Sequence, residues 1–214
     1  MESELSINIS LDYGHWKAVL VNIVIWILPV FFMLRPRRPR ETLAFGLLCL
    51  FLTDEFVELY GFPYTLMLFS DQLAAYEDAD GLSYRAGDLW RVLLNQDSHH
   101  EVYDVYHLSA GIFIFGGIGL LYFAYRMLRD ARWSGVPATT GPYAWFRHPQ
   151  YLGTMSLMLG YIIQGPTLPT FVLFPILSLF YILLARWEER ELLTQFGNAY
   201  ALYMKSTPGF AFWR

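Results

Sequence analysis

Between Tyr151 and Ala185 the chain runs for 35 residues without one charged side chain. A bilayer is the solvent that suits such a stretch. Inside hydrocarbon every backbone polar group must be satisfied within its own segment, so about 20 apolar residues read as a spanning helix. Gly165-Pro166 and Pro169 divide the run into two spans joined by a tight turn, and Pro175 predicts a kink in the second. Three further apolar runs precede it. Ala18 to Leu34 is bounded by Lys17 and Arg35. Leu43 to Phe69 carries Asp54, Glu55 and Glu58, and Gly61 with Pro63 should end that span near Tyr60, leaving a short interfacial piece. Leu108 to Tyr125 contains Ser109, Ala110, Gly111, Gly116, Gly117 and Gly119, small residues that let helix backbones approach closely. After the last span Leu192, Leu193, Phe196, Tyr200, Tyr203 and Met204 recur at helical spacing, and Pro208 closes the pattern. The expected fold is all-α: a polytopic membrane bundle of about five transmembrane helices plus an amphipathic C-terminal helix whose aromatics anchor the interface.

Charge placement supports this count independently. Arg35, Arg37, Arg38 and Arg40 follow the first span, and Arg126, Arg129 and Arg132 follow the third. Residues 71–106 hold eight acids against Arg85 and Arg91. Five alternating spans put both Arg-rich segments on one side, which the positive-inside rule makes the cytoplasm. The N-terminus then lies outside and the C-terminus inside. The compact chain suits a bacterial inner membrane. Glu2, Glu4 and Asp12 make the N-terminus acidic, unlike the basic start of a secretory signal. A net charge of −4 gives no electrostatic case for nucleic acid. Cys49 is the single cysteine, so neither an intrachain disulfide nor a cysteine-built zinc site can form.

Two polar clusters fall on the cytoplasmic side of this topology. One runs from Thr139 to Gly153 before span four; the other is Arg186-Trp187-Glu188-Glu189 after span five. The hairpin of spans four and five brings Arg147 and His148 within reach of Glu188 and Glu189, as catalytic or binding groups or, for Arg147 with Glu188, as a structural ion pair closing the hairpin. His148, just before Pro149, also reads as a simple cap of span four. The acids Asp54, Glu55 and Glu58 are expected at the outer interface in water, with Glu58 a speculative substrate-binding group. His99, His100 and His107 with Glu101 and Asp104 read as a solvated loop, and no metal site is expected. Arg35 to Arg40 is most simply a topology signal, with anionic lipid as a second reading.

Gly141-Pro142-Tyr143 followed by Arg147-His148-Pro149-Gln150-Tyr151-Leu152-Gly153 resembles the signature shared by the isoprenylcysteine carboxyl methyltransferases and the related phospholipid methyltransferases. Glu188-Glu189, Leu192, Phe196-Gly197, Tyr200, Tyr203 and Pro208 resemble that family's closing motif. The resemblance implies one membrane domain over residues 1–214. Residues 139–208 would form the cofactor region, and residues 1–138 much of the substrate side. It further implies an S-adenosyl-L-methionine pocket roofed by the C-terminal segment and a lipophilic or amphiphilic acceptor arriving through the bilayer. By position, Tyr143, His148, Pro149, Gln150 and Tyr151 would line the cofactor site, the backbone of Val136, Pro137, Ala138 and Thr139 would carry part of it, and Glu188 would supply a carboxylate. The substrate arginine of the carboxyl methyltransferases falls on Leu184 here, with Arg186 two residues away.

The residue types suit that ligand. Arg or His pairs with a carboxylate, Glu accepts from ribose hydroxyls or an ammonium, and Tyr143, Trp145 and Phe146 can wall an adenine or shield a sulfonium. Arg147 and Arg186 are the expected catalytic residues, orienting the cofactor carboxylate or an anionic acceptor. Other nucleotides offer similar groups. A nicotinamide-dependent membrane reductase of related architecture is therefore an alternative, as is a non-enzymatic membrane protein.

Overall fold

The computed structural model describes residues 14–36, 38–62, 64–68 and 100–210, and side chains throughout these except at 66, 67 and 100–107. Most of the acidic segment 71–106, and the side chains of His99, His100 and His107, therefore lie outside the described residues. The described chain is helical: α1 (Trp16–Leu34), α2 (Pro39–Phe56), a π-helical turn (Val57–Gly61), α3 (Tyr64–Leu68), α4 (His100–Ser134), a 3-10 turn (Gly141–Ala144), α5 (Pro149–Gln164), α6 (Leu168–Phe196) and α7 (Asn198–Ser206).

Each of the five expected spans forms a helix. Three of them, within α1, α4 and α6, are long and apolar enough to cross a membrane. Of the other two, α5 has 16 residues, and α2 has 18 but includes Arg40, Glu41, Asp54 and Glu55. The outward faces match a lipid solvent. Leu20, Val24, Ile25 and Phe32 on α1, Leu108, Ile112 and Phe115 on α4, and Ile176, Leu179 and Leu183 on α6 are exposed large apolar side chains. Lipid tails supply no drive to bury them. The chain is an integral membrane protein.

Because apolar burial cannot drive helices together in lipid, close backbone packing must. The tightest pairing is α4 on α5, and glycine permits it. A Cβ on Gly117 would stand 2.7 Å from the Gly153 carbonyl oxygen and 2.8 Å from the Leu157 nitrogen. One on Gly160 would stand 2.9 Å from the Ile114 nitrogen and 3.0 Å from the Ala110 oxygen. Gly111, Gly116 and Gly119 face open space, whereas Gly117 and Ala110 meet α5. Across the bundle the Tyr181 hydroxyl donates to the Ala44 carbonyl at 2.9 Å, tying α6 to α2.

The two ends of the bundle differ. At one end Arg132 pairs with Glu41, and Arg40 Nη2 meets Glu191 at 2.7 Å. The start of α2, the end of α4 and the far half of α6 are thus gathered, and both Arg-rich segments share this end. At the other end Glu58 accepts the Tyr64 and Thr65 amides at 3.0 and 2.5 Å, capping α3, while Thr65 Oγ1 accepts the Leu168 amide at 2.7 Å. Glu55 and Glu58 are only 2 % and 4 % exposed, which corrects the expectation of an interfacial, hydrated acid cluster. Gly61 and the residues just before it end the span as expected: the π-turn's carbonyls at Tyr60 and Gly61 accept the His15 and Gly14 amides.

The tail departs from expectation. No single amphipathic helix follows span five. Instead α6 continues unbroken through Pro175 and past Glu188 and Glu189 to Phe196; Gly197, at φ +54°, then turns the chain into α7. That backbone region favours glycine. Tyr200 is buried and does not face the interface as an anchor would.

The glycine contact is directly testable. Gly117→Leu must force α4 and α5 apart, a loss of about 1–3 kcal/mol by the usual scale of overpacking. Gly116→Ala meets nothing and should hold or gain up to about 1 kcal/mol. Thermal unfolding in detergent will rank the two variants on opposite sides of wild type.

Candidate active site

The site forms where the 3-10 turn, the start of α5, the second half of α6 and the tail meet. Local sequence sets it up. Gly141 begins the 3-10 turn at φ +61°, and Pro142 follows it. Pro149 begins α5 with the φ a first helical residue needs, and it keeps His148 out of the helix. His148 sits at the N-cap position with no side-chain capping bond, so its ring is released for other partners.

Those partners are the two adjacent carboxylates of α6. His148 Nε2 lies 3.0 Å from Glu189 Oε1, and Nδ1 lies 3.5 Å from Glu188 Oε2. The ring is 1 % exposed and stacks between Tyr151 and Phe210, with centroids at 5.8 and 5.6 Å. Glu188 Oε2 also accepts from Gln150 Nε2 at 3.0 Å, and Gln150 Oε1 accepts from the Tyr143 hydroxyl at 3.0 Å. Tyr203 donates to the Tyr143 carbonyl at 2.6 Å. One polar chain therefore runs Tyr143, Gln150, Glu188, His148, Glu189, hydrogen-bonded at every link but the 3.5 Å contact between Glu188 and His148.

Arg147 closes that chain on the tail. Its Nε is 2.8 Å from Glu189 Oε1, and its Nη1 donates to the carbonyls of Met204 and Thr207 at 2.8 and 3.1 Å. Its own amide donates to the Pro208 carbonyl at 2.9 Å. The ion pair that closes the hairpin is thus Arg147 with Glu189, where the sequence pointed to Glu188.

Burial alone would lower the His148 pKa, but the flanking Glu188 and Glu189 carboxylates outweigh it and raise the value above 6.5. Burial likewise opposes ionisation of Glu188, and His148 with the nearby Arg40 and Arg132 charges overcomes it, leaving that carboxyl below its ordinary range. Each group thus favours the charged form of the other. Burial also drives the Tyr143 hydroxyl well above its ordinary value, so it stays a neutral donor.

Residues 105–199 match the phospholipid methyltransferase family. This bears out the resemblance read from the motifs. The phospholipid methyltransferase match spans α4, α5 and α6, including Gly141 to Gly153 and Glu188-Glu189; Tyr200, Tyr203 and Pro208 lie beyond it. No curated protein and no solved structure matches the chain.

Within this phospholipid methyltransferase region the expected residues separate into groups. Tyr143, His148, Gln150 and Glu188 converge in one network, and Pro149 and Tyr151 are buried beside it, with Tyr151 against Tyr181 in the core. Val136 and Thr139 are exposed, and Pro137 and Ala138 half-buried, in the segment that leads into the 3-10 turn. Arg186 is exposed on α6. Glu58 is remote, at the opposite end of the bundle from the Arg-rich segments. Glu189 and Tyr203, named in the sequence only as part of the acid pair and the closing motif, belong to the site, as does Phe210, which sequence reasoning gave no role. The paired acids were a signal for Glu189; Phe210 carried none. Among the described residues no group of His, Cys, Asp and Glu is arranged to hold a metal ion.

Two outcomes follow. Arg147→Ala strands Glu189 and frees two tail carbonyls, so stability should fall by about 3–5 kcal/mol, the scale for breaking a buried ion pair. Limited proteolysis should then cut first in residues 198–210. A raised His148 pKa stabilises the fold fully below the ordinary histidine value, and the contribution is lost as pH rises through the raised one. The melting temperature should fall across that window in wild type and stay flat in His148→Gln.

Proposed function

We propose that the chain transfers a methyl group from S-adenosyl-L-methionine to a lipophilic or amphiphilic acceptor at the cytoplasmic face of a membrane. The observation that carries this reading is the buried chain Tyr143, Gln150, Glu188, His148, Glu189 inside the region that matches a methyltransferase family. When bound, the cofactor supplies an electrophilic methyl on a positively charged sulfur.

The residues present fit such a group. Among the described residues Glu188 Oε1 accepts no hydrogen bond, while Oε2 holds Gln150 and faces His148. A carboxylate can accept about four bonds, so Glu188 retains capacity for ribose hydroxyls or an ammonium. His148 Nδ1 is buried without a hydrogen bond. Gln150 and His148 fix the Glu188 rotamer, and Tyr143 fixes Gln150. The half-buried Phe146 directly precedes Arg147, and residues 136–139 lead into the 3-10 turn that carries Tyr143. Methyl transfer is an in-line displacement in which positioning supplies much of the rate. A carboxylate held by two partners is preorganised for that task.

Arg147 acts here as a positioning residue, since its guanidinium holds the tail over His148. Arg186, exposed on α6, would meet an anionic acceptor. Residues 1–138 supply the substrate side, and the Arg-rich end is the cytoplasmic one. This orientation leaves the N-terminus outside.

Calorimetric titration of the detergent-purified protein with S-adenosylmethionine tests the reading. Wild type should bind, and Glu188→Ala should lose at least tenfold in affinity while unfolding at an unchanged temperature. Binding of NADPH in place of S-adenosylmethionine would replace this function with a reductase.

A further inference from the structure

Arg40 was accounted for at the sequence level as one of four arginines marking membrane orientation. Its structural setting differs from a topology signal. A residue that only marks the cytoplasmic side belongs in water, yet Arg40 is 5 % exposed. It begins α2 and reaches α6, where Nη2 meets Glu191 at 2.7 Å and the guanidinium carbon lies 5.8 Å from the centre of the Trp187 ring. Trp187, Glu188 and Glu191 occupy one turn of α6, and the i,i+3 spacing puts Glu188 and Glu191 on one face. Arg40 therefore sits beside the Glu188 network.

The second terminal nitrogen is the informative one. Arg40 Nη1 is shut off from water and has no hydrogen-bond partner among the described residues. A guanidinium stays charged and presents its donors as a rigid fork. A buried donor left without a partner is costly, more so when charged. With Nη2 anchored and one face covered by Trp187, the free edge is preset for an oxyanion, which matches such a fork in geometry and charge.

We propose that Arg40 is a binding residue for an anionic oxygen, carboxylate or phosphate, of the ligand that occupies the Glu188 site. This rests on the function proposed above and adds a contact from α2, outside both sequence motifs. Two groups carry that chemistry: the amino-acid carboxylate of the cofactor and the phosphate of a lipid acceptor.

The test uses the full chain in detergent, with Arg40→Gln, Arg40→Lys and Glu191→Gln. S-adenosylhomocysteine and 5′-methylthioadenosine, which lacks the carboxylate, are titrated by calorimetry, and binding of phosphatidylglycerol is measured against phosphatidylcholine in mixed micelles. If the cofactor carboxylate is the partner, Arg40→Gln weakens S-adenosylhomocysteine at least tenfold and leaves methylthioadenosine unchanged. If the lipid phosphate is the partner, nucleoside binding holds and the preference for phosphatidylglycerol falls at least tenfold. Glu191→Gln keeps the guanidinium and should retain most of either binding; equal losses in both variants would reduce Arg40 to a structural role and overturn the proposal. Unchanged binding of every probe by Arg40→Gln overturns it as well. Should Arg40→Gln fail to fold, Arg40→Lys keeps the charge without the fork and must show the same selective loss. A wild type that ignores S-adenosylhomocysteine sinks the methyltransferase reading, while the lipid measurement still decides Arg40.

Discussion

One carboxylate oxygen, Glu189 Oε1, stands within hydrogen-bonding distance of both Arg147 and His148, and the rest of the site depends on that sharing. A lone buried carboxylate would be expensive. Here a guanidinium and an imidazole face it, and each is held elsewhere: Arg147 by the tail carbonyls, His148 by Tyr151, Phe210 and Glu188. Such a triad need not add net stability over an apolar core, but it fixes one arrangement of three chain segments. The turn before α5, the outer half of α6 and the tail cannot slide without uncovering a charge.

This requirement explains why α6 does not stop where its apolar run stops. The helix carries Glu188 and Glu189 one turn beyond Ala185 and then continues to Phe196. Gly197 reverses the chain, and α7 brings Tyr200, Tyr203 and Thr207 back over the start of α5. The tail is part of the site wall because its Met204 and Thr207 carbonyls accept from Arg147. Backbone recognition leaves the Met204 and Thr207 side chains out of this contact, whereas Arg147 and Glu189 must stay matched.

Beneath the polar end, the glycine seam of α4 and α5 holds the frame. Gly153 belongs both to the Arg147-to-Gly153 motif and to that seam, where its backbone meets Gly117 and Leu121. The motif thus mixes chemistry at its start with packing at its end. At the far end of the bundle a different solution appears: Glu58 is spent on the amides that open α3, and Thr65 and Thr167 serve the start of α6. Carboxylates of similar burial cap a helix at one end and organise a polar network at the other, and only their partners tell them apart.

The sequence by itself determined the membrane class, the places of the five spans, the gathering of both Arg-rich segments at one end and the two motifs that meet there. These follow from local rules: apolar length, breakers, charge bias and residue spacing act along the chain. Only the tertiary structure decided which acid pairs with Arg147, that Glu55 and Glu58 are buried, that the tail breaks at Gly197 and folds inward, and that Arg40 lies beside Glu188. Each of these turns on which helix faces meet. Adjacent Glu188 and Glu189 look alike in sequence, yet a 100° step around α6 sends one to Gln150 and the other to Arg147. That rotation is set by packing between distant segments, where no local signal reaches.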